Sequence, residues 1–266
     1  MFPCRPDVLL LDVLVAVGAA AVAADAAHAD PNFTVGAGAA YVMDYEGSDD
    51  YEPVPVWNLR AGNLYDSNTY VSIRGLRLES NLLPSENFRL GPVARYLPDY
   101  DHVDDDAVND LERPDSAVQA GLLAGYEVTD ERHIQYGIEL EATYDVLHGN
   151  GALVTPRAKI RVPLAQNIFF NASIGATWAS ADYMSNRFGI SDADAARSGL
   201  QPFDADAGFK DAGLDLGLTY AFDKHWSVTA GGSYQRMLGD AADSPIVDDR
   251  GSEDGFRASA LVNYRF

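Results

Sequence analysis

The chain is poor in cysteine, in basic charge and in long apolar runs. Its 266 residues include a single cysteine, Cys4, which excludes a disulfide framework and any centre built on several thiolates. Lys and Arg number 19 against 40 Asp and Glu, a formal net charge of −21. That balance repels nucleic-acid phosphates, and no basic stripe offsets it, so nucleic acid is not expected as a partner. The histidines are scattered: His28 lies near the N-terminus, and His102, His133, His148 and His225 lack metal-ligand spacing. There is no G-x-S-x-G elbow and no serine with an evident histidine partner. The expectation is a non-enzymatic chain with no catalytic residues, no cofactor and no metal site.

The one apolar run stands at the N-terminus. Arg5 precedes a largely apolar stretch from Val8 to Ala24, and Ala27-His28-Ala29 puts small residues where a signal peptidase reads. Residues 1–29 are therefore expected to be a cleaved signal peptide, with a membrane anchor as the alternative, and residues 30–266 to form one exported domain. Cleavage would remove Cys4, one basic and three acidic residues, moving the net charge from −21 to −19. Beyond this segment no apolar stretch is long enough for a membrane helix, so any crossing must be made by strands.

What the rest of the chain has in abundance is period-two alternation. Phe256, Ala258, Ala260, Val262, Tyr264 and Phe266 fall on one face, and Arg257, Ser259, Asn263 and Arg265 on the other. Such a strand suits lipid on one side and a polar interior on the other. The same phasing recurs from Ile134 to Val146, from Ile168 to Trp178, and from Leu214 through Tyr234, with aromatics near the strand ends as interfacial girdles require. These runs exceed the five or six residues usual in a soluble sandwich. The expected fold is all-β: an antiparallel transmembrane β-barrel of about twelve strands in the outer membrane, in contact with lipid and lipopolysaccharide.

Strands are expected near Phe33 to Met43, Pro53 to Ala61, Asp66 to Ile73, Gly75 to Leu83, Phe88 to Asp99 and Ala117 to Val128. The remainder fall near His133 to Leu147, Ala152 to Leu164, Ile168 to Ser180, Lys210 to Phe222, Trp226 to Leu238 and Gly255 to Phe266. The third and fourth are divided because the apolar phase flips from Val71 and Ile73 to Leu76, Leu78 and Leu82 across Arg74-Gly75. With twelve strands every long connection falls on one rim, which should face outward, leaving short periplasmic turns. That outer rim is acidic, from Asp44, Glu46, Asp49, Asp50 and Glu52 to Asp240, Asp243, Asp248 and Asp249. A plain solvated crown is expected, with loose bridging to lipopolysaccharide phosphates by Mg²⁺ or Ca²⁺ as the alternative.

On the lumen side Glu139, Glu141 and Asp145 face the next strand's Arg157, Lys159 and Arg161, predicting a charge-paired ladder. Arg77, Arg89, Arg95, Glu79 and Glu127 extend it.

Four stretches carry a family resemblance: Tyr41 to Ser48 (YVMDYEGS), Asn87 to Pro92 (NFRLGP), Thr177 to Met184 (TWASADYM) and Leu238 to Val247 (LGDAADSPIV). In this order they resemble the signature segments of the MipA/OmpV family of outer-membrane proteins. The resemblance implies a scaffold associated with a murein lytic transglycosylase and a peptidoglycan synthase, and it carries over no catalytic residue. A small porin or surface adhesin is the alternative, favoured by loops that face outward.

The marked residues have simpler roles as well. Tyr41, Tyr45, Trp178 and Tyr183 would serve as girdle aromatics where strands leave the membrane. Asp44, Glu46, Gly47 and Ser48, with Gly239, Asp240, Asp243, Ser244 and Pro245, have turn chemistry. Both loops, together with the one from Ala181 to Phe209 that holds Asp182 and Met184, are expected to fold over the barrel mouth.

Overall fold

The structure, a computed structural model describing residues 32–98, 103–112 and 116–266, is a closed antiparallel barrel of twelve strands. In chain order they are β1 (Asn32–Met43), β2 (Tyr51–Gly62), β3 (Tyr70–Arg74), β4 (Arg77–Asn81), β5 (Phe88–Leu97), β6 (Ala117–Thr129), β7 (Gln135–Asp145), β8 (Ala152–Ala165), β9 (Ile168–Ala179), β10 (Gly208–Ala221), β11 (Trp226–Met237) and β12 (Asp254–Arg265). Each pairs with its neighbours in sequence, and β12 returns to β1 with Arg265 opposite Thr34 and Ala258 opposite Tyr41. Closure is what allows strands to cross a bilayer, because neighbouring strands satisfy one another's ladder groups. The predicted signal peptide lies outside the described residues.

The alternation settles which face meets lipid. Leu214, Leu216, Leu218 and Tyr220 on β10, and Ile138, Leu140 and Tyr144 on β7, are exposed large apolar side chains, as an outward face requires. Aromatics stack in bands at both ends: Trp226 against Tyr264 at 4.8 Å and Tyr264 against Phe266 at 4.9 Å at the inner end, Tyr41 against Tyr51 at 5.5 Å and Tyr234 against Phe256 at 5.2 Å at the outer.

The phase flip at Arg74-Gly75 is a hairpin turn, with Gly75 at φ +53. The two strands it joins are shorter than the pattern suggested. The strand expected from Asp66 begins at Tyr70 because residues 66–69 close a turn on themselves. The Asp66 carboxylate accepts from the Asn68 N–H at 2.9 Å and the Thr69 hydroxyl donates to the Asp66 carbonyl at 2.8 Å. β7 is trimmed at both ends for the same reason, since the Asp130 and Asp145 carboxylates hold the adjoining turns.

The short hairpin leaves the outer half of β2 without a described strand on that side. Its tip stops level with Trp57, whose carbonyl takes the Gly75 N–H at 2.9 Å. Alternate backbone groups point the same way, so Pro53 and Pro55 also face the vacant side, where their missing N–H groups leave no donor unpaired.

The long loops are not structureless. They hold α1 (Asp106–Asn109), α2 (Ala181–Phe188), α3 (Asp192–Ser198), α4 (Asp240–Asp243) and α5 (Pro245–Asp248). None of these helices was evident from the strand-dominated pattern. α3 has a capping box in which the Ser191 hydroxyl accepts from the Asp194 N–H, and α5 starts with proline at its first position.

Candidate functional site: a plugged mouth above a charged lumen

The outer mouth is closed by its own loops. In the β1–β2 loop, Tyr45 donates its hydroxyl to the carbonyls of Arg250 at 3.1 Å and Ile246 at 3.4 Å, both in the β11–β12 loop. The Gly47 carbonyl takes the Ser252 N–H at 2.8 Å. Gly47 sits at φ +94, and a Cβ there would meet Val247 at 2.5 Å, so both its conformation and its closeness call for glycine. The Ser244 hydroxyl donates to the Phe188 carbonyl at 2.7 Å, binding that loop to α2. The β5–β6 loop joins through the Asp105–Arg250 ion pair at 2.7 Å and the Glu112 N–H donated to Asp194 at 2.6 Å.

Beneath these bonds lie two apolar clusters, one around Tyr183, Met184, Phe188, Ala241 and Val247, the other around Tyr45, Val103, Val108, Ile190 and Ile246. The family-marked residues therefore divide. Tyr41 and Trp178 stand at the lipid boundary, at 52% and 36% exposure, whereas Tyr45 and Tyr183 are buried at 4% and 3%. The girdle role expected for Tyr45 and Tyr183 is overturned: they are core residues of the plug. Ser244, Pro245 and Met184 are buried with them, while Asp182 and Asp243 are exposed. Asp240 accepts the Asp206 N–H at 2.7 Å, Asp44 accepts the Asp104 N–H at 3.0 Å, and Gly239 takes a positive φ at the start of α4.

A charged group sits at the plug's base. Lys210 bonds both Glu46 and Asp211, and the Tyr183 hydroxyl donates to Glu46 at 3.0 Å. Consecutive strand residues normally point to opposite faces. Here the register shifts between Phe209 and Asp211, so that Lys210 and Asp211 are both buried. Burial alone would raise the Glu46 carboxyl, but the Lys210 ammonium outweighs it and brings the group down to about 2. The Tyr45 hydroxyl is pushed up, first by burial and then by the charges of Asp105 and Asp44.

Below the plug the lumen has two unlike walls. β3 to β8 carry the charge: Arg157 bonds Glu139 at 2.9 Å, Lys159 bonds Glu139 at 2.6 Å and Glu127 at 2.7 Å, and Arg89 also pairs Glu127. Arg77 grips Glu141 with both nitrogens, at 2.8 and 2.7 Å. The facing strands β9 to β12 and β1 present mainly small groups such as Ser173, Gly213, Thr229, Ser259 and Gly36.

Of the predicted ladder, Glu139, Glu141, Arg157 and Lys159 are brought into ion pairs, although Glu141 pairs with Arg77 rather than with β8. Asp145 is not in the ladder. Its carboxylate accepts the N–H groups of Leu147 at 3.1 Å and Asn150 at 3.1 Å. Arg161 lies over the Phe169 ring at 5.0 Å instead of against a carboxylate. Lys210, Asp211, Gln119 and the bulge were missed. A lysine-aspartate dipeptide opening a strand was the only trace of the bulge in sequence. Among the described residues no group of three or more His, Cys, Asp or Glu could hold a metal ion.

A closed twelve-stranded cylinder with an apolar belt, aromatic bands at both ends and a polar inside defines an outer-membrane β-barrel protein. The family model of MltA-interacting protein MipA matches residues 35–266, and the chain belongs to that family. It is 28% identical to the MltA-interacting protein of Escherichia coli (strain K12) over 248 residues, 90% of this chain and 92% of that one. It is 25% identical to the E. coli (strain K12) protein named "Putative outer membrane protein YiaT" over 239 residues, 88% and 90% of the two chains. Among solved structures, the COG4313 outer membrane channel from Pseudomonas putida F1 is similar, with TM-score 0.47 and 14% identity over 91% of this chain and 97% of that one.

Proposed function

We propose that this protein is a non-enzymatic scaffold of the outer membrane that holds a murein lytic transglycosylase, and with it a peptidoglycan synthase, at the periplasmic rim. The observation that supports this reading most is the division of labour between the two ends. The outer loops spend their apolar surface on one another, in a plug whose Phe188, Met184 and Val247 are at most 1% exposed. The periplasmic end offers solvent-facing turns at residues 63–69, 82–87, 130–134 and 222–225. A surface made of such turns is small, so the association is weak or transient. The name of the E. coli relative supports the choice of partner.

Affinity capture from detergent-solubilised envelopes tests the scaffold. Recovery of a lytic transglycosylase with the full-length barrel is the expected result, and its loss when the 63–69 and 82–87 turns are replaced locates the contact. A second reading, a small channel, is favoured by the wall of small residues beside the charged one. Failure to recover either enzyme, together with open-channel steps in planar bilayers, would replace the scaffold with that reading.

A further inference from the structure

The outer part of the charged wall contains a site that neither the plug nor the ion-pair ladder explains. One row of cross-strand neighbours on the lumen side runs through five strands, rising from the tip of the β3–β4 hairpin to the outer end of β7. Arg74 stands directly opposite Arg77, Arg77 opposite Arg95, Arg95 opposite Gln119, and Gln119 opposite Asp145. Like charges directly opposite one another across a sheet repel. The middle arginine is ion-paired, with Glu141 and with Glu79 at 3.4 Å. Arg74 and Arg95 make no ion pair within 4 Å among the described residues. The charges bearing on Arg95 are those of Arg77, Arg157 and Arg257 against Glu141, which Arg77 already occupies.

Gln119 supplies an independent observation. It is 2% exposed, and among the described residues neither its amide oxygen nor its amide nitrogen has a hydrogen-bond partner. A buried amide with both functions unmet is rare in a folded protein and calls for a ligand or water to complete it. Asp145, its cross-strand neighbour, is committed to the backbone N–H groups of residues 147, 148 and 150.

We infer that Arg95 and Gln119, flanked by Arg74 and Arg257, bind a small anion whose acidic group has a hydroxyl beside it, of the hydroxy-acid or sugar-acid class. The guanidinium of Arg95 takes the carboxylate, as arginine does where planar two-point recognition is needed. The Gln119 N–H donates to the same group, and its carbonyl accepts from the hydroxyl. An anion without a hydroxyl leaves that carbonyl unpaired, and an unpaired buried group is the strongest source of discrimination between close analogues. The acidic crown and the plug oppose entry from outside. The inner half of the lumen carries Arg60, Arg161 and Arg265 with no carboxylate within 4 Å among the described residues, which makes the periplasmic end the approach for an anion.

Isothermal titration of the detergent-solubilised full-length protein with gluconate, acetate and inorganic phosphate tests this, with heat-modifiable gel mobility reporting the fold. Gluconate should bind, and acetate about tenfold more weakly, the cost of one unmet buried group. Arg95→Gln should weaken gluconate about tenfold or more. Gln119→Leu should erase the preference for gluconate over acetate, while Arg236→Ala at the outer rim should change neither. Absence of gluconate binding, or phosphate binding as tightly as gluconate, overturns the assignment. So does wild-type affinity in a folded Arg95→Gln protein. If Arg95→Gln does not fold, an unchanged preference in Gln119→Leu overturns it.

Discussion

The two ends of this barrel close by different physics. At the outer end four loops share two apolar clusters, a buried ammonium between two carboxylates, and hydrogen bonds that join residues more than 200 positions apart, such as Tyr45 to Arg250. At the inner end the turns are held chiefly from within, by side chains of their own: Asp223 accepts the N–H groups of His225 at 2.7 Å and Trp226 at 2.8 Å, and Asp130 does the same for Arg132 and Ile134, while isolated bonds such as Asn81 to the Asn68 carbonyl at 2.8 Å join neighbours. A cooperative plug fails as a unit when one piece is removed, whereas turns joined by single bonds fail locally. The same sheet thus supports a stiff lid and a modular rim.

This contrast can be broken most severely from inside the plug. Phe188→Ala empties a fully buried site and should cost the closed lid about 3–5 kcal/mol. Hydrogen exchange would then show loss of protection in all the outer loops together, with the strands unchanged. Lys210→Met leaves Glu46 and Asp211 without their cation, and removal of one partner from a buried charge group costs about 3–5 kcal/mol. Its signature is protease cleavage in the 180–207 loop of a barrel that still shows heat-modifiable mobility. Gly47→Ala strains a φ of +94 and drives a methyl into Val247, so closure should weaken by about 1–3 kcal/mol by the same exchange measurement.

Acid sharpens the comparison more gently. The Glu46 carboxyl lies at about 2 in the closed plug against an ordinary 4.5, so its contribution is full above about pH 4.5 and is lost as the pH falls toward 2. Loop protection should therefore hold at pH 5 and decline below 4, and Glu46→Gln should flatten that profile. The smallest effect is expected at the other end. Asp223→Ala removes the two turn hydrogen bonds and should alter exchange only at residues 222–226 and at Arg265, whose N–H the His225 carbonyl accepts, with no change in the plug.

Much of the barrel was legible because its signal is local. Alternation of Ile138, Leu140 and Tyr144 with Glu139, Glu141 and Asp145 needs only the strand period to be read, and the phase flip at Gly75 marked a real turn. The limits of that legibility are physical too. Asp145 keeps the phase of the ladder yet serves the turn beside it, because three backbone N–H groups lie closer than any guanidinium. Tyr45 and Tyr183 have the composition and position of girdle residues. Only their contacts with Ile246, Arg250 and Glu46, far away in the chain, distinguish core from boundary.

By itself, then, the order of residues determined twelve strands, their inward and outward faces, the acidic rim and the polar lumen, since each follows from a two-residue period and the requirement that lipid-facing backbone be paired. The tertiary structure alone decided that the outer loops form a plug with a core of its own, that a bulge turns Lys210 and Asp211 inward together, and that Arg95 and Gln119 stand on neighbouring strands with no ion pair or side-chain hydrogen bond among the described residues. These depend on which segments meet after the cylinder has closed, and no periodicity along the chain encodes that meeting.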